Sequence, residues 1–321
     1  MYNDIKLEKG LYNLSGKCFS EALEELDPSA GYIGTPLENL DAYERQLKRY
    51  NIRVSGENCD RVEKFFSSTE TAVLFPEFVA RCIRRGFDET VIASISAAKT
   101  ICESGKYLGC DLSDQAAYTY TTQGNVMPQA SITEAISVVS LNKYGRYISA
   151  TYEAVRKQRL DVFGVMLSSV GVKLAASAAK SAVTVLASNS ETITTTELTY
   201  SDLAELYGKF SGFDMTTIIT SPAVAAKIAA MEQLSDTRKD PDGKMILPFG
   251  AELIKTSAAD NNTIIGIDRS YALEFITNSG LIIETDKLID RQLDQIAVSI
   301  SCGFRKIAAD AVKVLSIVPE T

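Results

Sequence analysis

Residues 161–187 read DVFGVMLSSVGVKLAASAAKSAVTVLA, and this stretch decides the fold. After Asp161 its charges are Lys173 and Lys180, and Ala, Ser and Gly make up much of its second half. As one helix it spans roughly 40 Å at about 1.5 Å per residue. A helix so long and so poorly charged is covered on several sides, because apolar surface runs around most of its circumference. Its small residues let a neighbouring backbone approach closely. The rest of the chain is therefore built on a spine.

Upstream, residues 108–142 have strand composition. Residues 116–122 place Tyr118 and Tyr120 among threonines, Gly124-Asn125 and Pro128 break the run, and residues 132–141 are rich in Ile, Val and Ser. The two runs predict a long two-stranded ribbon, which is marginal alone in water and needs another surface. Before it, residues 73–76 predict a short strand ending at Pro76. Residues 77–85 predict a helix with Phe78, Cys82 and Ile83 on one side and Gly86 as its stop. Residues 90–96 predict a strand. Residues 1–70 are polar and broken. There Thr35-Pro36-Leu37-Glu38 has the form of a capping box, and Leu37, Leu40 and Leu47 recur at helical spacing. Residues 61–66 predict a second short helix. This part is too thin in apolar residues for a core of its own, so it reads as an extended arm lying on another surface.

Downstream, Ser201 caps a helix through Leu206, residues 215–220 predict a strand, and Ser221-Pro222 opens a helix to about Met231. Residues 251–256, 263–267, 272–276 and 281–284 predict strands, with turns at Asp260-Asn261-Asn262 and Asn278-Ser279-Gly280. Then strict alternation puts Ile296, Val298, Ile300, Cys302 and Phe304 on one face of a strand. Residues 311–317 predict a last strand. Helices and strands intermix without a regular strand–helix repeat, so the class is α+β.

Composition bounds the chemistry. The chain has 321 residues, 45% hydrophobic and 23% charged, enough for two ordinary domains or one elaborate one. It has no histidine, which excludes imidazole acid–base chemistry, His-activated nucleophiles and imidazole metal sites. The net charge of −8 is opposite to that of a basic nucleic-acid binder. The start, MYNDIKLEKG, has no apolar signal region, and no membrane span is expected: the nearest run, 162–172, ends at Lys173. The six cysteines show no CxxC spacing and read as reduced thiols. Phosphate-loop, dinucleotide and nucleophile-elbow glycine motifs are absent. Asp236, Asp240 and Asp242 lack the Gly and terminal Glu of a calcium loop and read as a solvated loop. The pairs Glu24–Glu25 and Asp286–Asp290 read as solvated faces, and Tyr118 and Tyr120 lack the interleaved cations of a base-stacking platform. No catalytic residue, metal ligand or cofactor site is assigned. An arm, a ribbon and a spine helix leave surface that partners have to cover.

These residues resemble the major capsid proteins of tailed bacteriophages, the Hong Kong 97-type fold. The resemblance is carried, in order, by Phe75-Pro76-Glu77-Phe78-Val79, by Gly124-Asn125-Val126-Met127-Pro128-Gln129-Ala130, by Lys143-Tyr144-Gly145-Arg146, and by Ser149-Ala150-Thr151-Tyr152-Glu153 before the long helix. Asp294-Gln295-Ile296-Ala297-Val298, Gly303-Phe304 and Ala309 to Leu315 complete it. It covers about residues 70–321.

The resemblance implies an N-terminal arm (1–70), entry to a peripheral domain (71–107) and an extended β-hairpin loop reaching over a neighbouring subunit (108–142). It further implies a peripheral domain (143–200) with a spine helix (161–187), an axial domain (201–285), and return strands with a last axial strand (286–321). It implies a non-enzymatic, self-assembling head protein without cofactor or membrane. Its pentamers and hexamers form an icosahedral shell around double-stranded DNA, held without sequence-specific contacts. The resemblance also implies a portal at one vertex and a location in the virion, with assembly in the host cytoplasm. The acidic balance suits a wall that repels packaged DNA.

Inter-subunit contacts are expected at Tyr118, Tyr120 and Val126, and at Lys143 and Arg146 facing Asp111 or Asp114 of another loop. An axial tip loop is expected around Asp236, Asp240, Asp242 and Lys244. Two features depart from many relatives. The roughly 70 residues before the shell part show no sustained heptads, so a separate scaffolding protein or guidance by the arm itself is expected. Residues 108–142 contain no lysine, so no covalent loop cross-link is expected. The alternatives are an encapsulin-like nanocompartment of the same fold and an acidic enzyme working without histidine.

Overall fold

The computed structural model describes residues 5–13, 17–113, 120–127, 129–234, 244–278, 280–288 and 293–318. Its helices are α1 (Phe19–Leu26), α2 (Ala42–Arg49), α3 (Thr69–Asp88), α4 (Val91–Ile95), α5 (Tyr152–Arg156), α6 (Leu160–Ala187), α7 (Tyr200–Gly208) and α8 (Pro222–Ala229). The strands begin with β1 (Ala98–Ile101), β2 (Lys106–Tyr107), β3 (Cys110–Ser113), β4 (Ser131–Glu134), β5 (Val139–Ser140), β6 (Asn142–Thr151) and β7 (Glu191–Thr195). They continue with β8 (Thr217–Thr220), β9 (Glu252–Lys255), β10 (Thr263–Ile267), β11 (Leu273–Thr277), β12 (Ile282–Leu288), β13 (Leu293–Lys306) and β14 (Val312–Ile317). The chain divides into two compact units. One comprises Met1–Glu89, Gly145–Lys173 and Leu281–Ser299; the other comprises Thr90–Tyr144, Leu174–Gly280 and Ile300–Thr321.

In the first unit the segment expected as an extended arm with helical pieces packs α1, α2 and residues 62–66 together with α3. Phe19, Leu23, Tyr43, Leu47, Val62 and Phe65 are buried, so this segment does contribute core. Fully burying a side chain such as Leu23 contributes about 1.5–3 kcal/mol. Polar groups are buried with it. Arg45 is fully buried with Asp27, Nε to Oδ2 at 2.9 Å, and Tyr32 donates its hydroxyl to the other Asp27 oxygen at 2.6 Å. The Arg45 guanidinium also lies over the Tyr32 ring. Arg81 of α3 bonds Glu77, Asp41 and Ser20, tying α1 and α2 to α3.

Several local expectations change here. The cap of α2 is Asp41, which accepts from the Glu44 amide while Glu44 reaches back to the Asp41 amide. Thr35–Glu38 instead closes a turn, with Glu38 accepting from the amide of Gly34, whose φ is +77°. Residues 73–76 are helical, within α3, and Pro76 lies inside it. A proline there removes a ladder bond. The Tyr12 hydroxyl sits at this break, donating to the Val73 carbonyl at 2.7 Å and accepting the Glu77 amide at 3.1 Å. Gly86 is not a stop either. A Cβ on Gly86 would collide with the Ser168 carbonyl of α6, and one on Gly171 with the Ile83 carbonyl of α3, so the glycines let the two helices touch backbone to backbone. By length and apolarity α6 could cross a membrane, which the sequence reading does not anticipate. Its contact with α3 accounts for the small residues on one face, while Val162, Val165, Met166 and Val172 remain exposed.

In the second unit, residues expected as a strand over 90–96 form α4. One mixed sheet runs β7-β14-β10-β8-β9. Every residue of β8 is buried, and Ile264 of β10 stands opposite Leu315 on one side and Thr220 on the other. Leu203 and Leu206 of α7 and Val224 and Ile228 of α8 complete this core. The cap of α7 is Thr199, with Asp202 three residues on, whereas the Ser221-Pro222 start of α8 is as expected.

A second sheet has β11 between β1, parallel, and β13, antiparallel. The N-terminal part of β13 pairs with β12. After α6, Asn189 takes a left-handed φ of 51°, and the Lys306 amine binds the Ser188 carbonyl and the Ser190 hydroxyl. A cation there complements the negative end of the helix.

Candidate assembly surface

The ribbon is real but differently registered. β3 pairs with β4 (Cys110 opposite Glu134, Ser113 opposite Ser131), and β2 pairs with β5 (Tyr107 opposite Val139). Of the strand expected over 116–122, residues 120–122 are not in a strand and 116–119 lie outside the described residues. The return strand expected over 132–141 is interrupted. Between the two ladders, residues 135–138 oppose Leu108 and Gly109, a bulge closed by the Ala135 amide on the Gly109 carbonyl at 2.9 Å. Bulges of this kind re-aim a strand pair.

The ribbon presents apolar side chains to solvent. Val126 is 95% exposed, Met127 77%, Ile132 74% and Leu112 66%. Among the expected contact residues, Val126 and Tyr120, at 89% exposed, belong to this surface. Tyr118 and Asp114 lie outside the described residues, as do Asp236, Asp240 and Asp242 of the expected axial tip loop. Lys244, the fourth member of that loop, pairs with Glu252 at 3.0 Å. Lys143 and Arg146 are both exposed on β6. Three residues apart on a strand, they point to opposite faces, so one acidic group does not meet both. Asp111 is held within its own chain, by Arg305 at 2.8 Å.

That pairing belongs to a cluster the sequence reading missed. Glu274 and Arg305 are cross-strand partners on β11 and β13, with Nη1 to Oε2 at 3.2 Å, and both are largely buried. The second Glu274 oxygen accepts from Thr100 Oγ1 at 2.5 Å and from the Tyr107 hydroxyl at 2.9 Å. Burial, with the Glu274 carboxylate beside it, pushes the Tyr107 phenol above its ordinary range and keeps it a donor. The other Arg305 terminus reaches the ribbon, at Asp111 and at the Cys110 carbonyl. One signal was legible: Glu274 is a lone charge in the apolar run ALEFI, and a buried carboxylate requires a partner.

Among the described residues no group of three or more Cys, Asp or Glu side chains is placed to hold a metal ion. All six cysteines are free. Burial pushes the Cys82 thiol up to about 11 and the Cys302 thiol up to about 12, which keeps both protonated at neutral pH.

No curated protein matches this chain. Among solved structures, the capsid of a native GTA particle shares 12% identity, covering 71% of this chain and 89% of its own, with a TM-score of 0.51. The Microbacterium phage Oxtober96 structure shares 11%, covering 72% and 91%, with a TM-score of 0.52. The SrpI encapsulin of Synechococcus elongatus shares 13%, covering 74% and 91%, with a TM-score of 0.54. These likenesses bear out the α+β capsid fold of the Hong Kong 97 type. A family model described as "Phage capsid protein" matches residues 134–309, from the last residue of β4 through all of β13. More than half of the chain thus carries the family pattern, including the spine helix and the strands on either side of it, and the chain belongs to the phage capsid protein family, as a bacteriophage major capsid protein.

Proposed function

We propose that copies of this capsid protein assemble as pentamers and hexamers into an icosahedral shell that encloses double-stranded DNA, and that the ribbon of residues 106–140 joins neighbouring copies. The observation that carries this reading is the apolar exposure of Leu112, Val126, Met127 and Ile132, which costs free energy in an isolated chain and is relieved when another copy covers it. Tyr120 and Val126 are contacts of this arm, and Tyr118 and Asp114 are further contacts; Lys143 and Arg146 meet different acidic partners; and Asp236, Asp240, Asp242 and Lys244 form an axial tip. Heterologous contacts that close into rings build such a shell from one chain. The protein acts structurally, without catalysis. It assembles in the host cytoplasm with a separate scaffolding protein and a portal, and its net charge of −8 favours a wall that releases DNA.

The test places a charge on the arm. Val126→Asp and Ile132→Asp, co-expressed with the phage assembly genes, are expected to leave folded subunits that sediment without shells. Shells in normal yield from both variants contradict the reading. The encapsulin-like alternative shares the fold, since the SrpI encapsulin matches this chain with a TM-score of 0.54. Purified particles holding protein cargo in place of DNA support that alternative.

A further inference from the structure

A two-stranded ribbon has little stiffness of its own, so its direction is set by whatever grips its base. Here the polar grip centres on one side chain, Arg305, with Tyr107 of the ribbon also bonding Glu274. Arg305 is almost covered, with 11% of its side chain exposed. One end of its fork bonds Glu274, which Thr100 and Tyr107 also bond, so that end is anchored in β11 and, through Thr100, in β1. The other end bonds Asp111 and the Cys110 carbonyl at the start of β3. The guanidinium lies against Gly109, at the bulge, where a Cβ would overlap it. Nearby, Gly303 of β13 admits the return side of the ribbon: a Cβ there would meet Val139 Cγ1 at 2.7 Å and Leu141 Cδ2 at 3.2 Å. Both sides of the ribbon are thus seated on β13, and the planar, bidentate geometry of arginine fixes one orientation where a lysine would not.

We propose that Arg305 is a positioning residue: it fixes the angle at which the 106–140 ribbon leaves the β1-β11-β13 sheet, and through that angle the curvature of the shell. The inference rests on the ribbon being the inter-subunit arm. In a closed shell each heterologous contact repeats the same rotation, so a change in arm angle changes which rings close. The cluster is a clamp with a sheet half, Glu274–Arg305, and a ribbon half, Arg305–Asp111, and the ribbon half is the one exposed to alteration without opening the core.

Gly109→Ala puts a methyl group where the guanidinium lies while leaving every charge in place. Asp111→Asn weakens the ribbon half at a side chain 52% exposed, so it tests the clamp even if Gly109→Ala does not fold. Arg305→Lys keeps the charge and loses the fork. Amide hydrogen exchange on the unassembled full chain is expected to quicken about tenfold over residues 106–113 and 131–140 in the first two variants, with residues 263–267 and 312–317 unchanged. Electron microscopy of assembled material is expected to show a broadened distribution of particle diameters, with Arg305→Lys intermediate. Wild-type exchange in the ribbon, or wild-type diameters despite faster exchange, overturns the clamp. Val126→Asp separates the two ideas. If it blocks assembly while the clamp variants build normal particles, the clamp fails and the arm stands; if it too builds normal particles, the arm reading fails.

Discussion

At the scale of single residues, the molecule is held by polar groups whose partners are distant in sequence. Tyr12 is the sharpest case, since its hydroxyl occupies the break that Pro76 makes in α3. Burial raises its phenol far above the ordinary range, so it stays protonated and remains a donor. Tyr12→Phe removes the partner of two buried backbone groups and is expected to cost about 1–3 kcal/mol in denaturant unfolding. An unfolding free energy within experimental error of wild type would show that the proline break needs no such bridge. Neither Tyr12 nor Arg45 announces this role in sequence. Arg45 lies in AYERQLKR, which reads as a solvated helical face, yet its guanidinium is fully buried. The helix start at Ser221-Pro222 was legible because its cap is local. The choice of Asp41 over Thr35 was not: both have capping-box form, and what favours Asp41 includes Glu24, 18 residues upstream, whose carboxylate accepts the Ala42 amide at 3.3 Å.

At the scale of elements, length and composition were enough to place α6 to within a residue at its start. The packing that makes its small residues necessary was hidden, because Gly86 looks like a helix stop when its partner helix is unknown. Gly86→Ala forces α3 from α6 and is expected to destabilise by about 1–3 kcal/mol as an overpacking change. Gly208→Ala, at the end of α7 with nothing within 4 Å of its Cβ position, is expected to stabilise by about 0.4–1 kcal/mol. Thermal or denaturant melts of the pair check this, and the same sign for both would contradict the helix contact. The ribbon was half legible. Alternating Ile, Val and Ser marked the return side, but the Tyr–Thr run suggested strand at 120–122, which are not in one, and missed β3 at 110–113. Strand propensity reflects cross-strand packing, and the partner of β4 is fixed by the bulge at Gly109 and by Arg305, neither of which is a local signal.

At the scale of the whole molecule, the α+β class followed from the intermixing of helices and strands, and the family pattern lies in the part where sequence alternation is strongest. The apolar residues of 5–70 are sparse, and they become core by packing against α3, nearly all of which lies beyond that window. On the proposed function one copy is incomplete, and a second copy covers its ribbon. Electron cryo-microscopy of particles assembled from the full chain tests this directly. Closed shells are expected in which Leu112, Val126 and Ile132 of each subunit are buried against a neighbouring subunit. Closed shells with those side chains still open to solvent, or folded back on their own subunit, would contradict it.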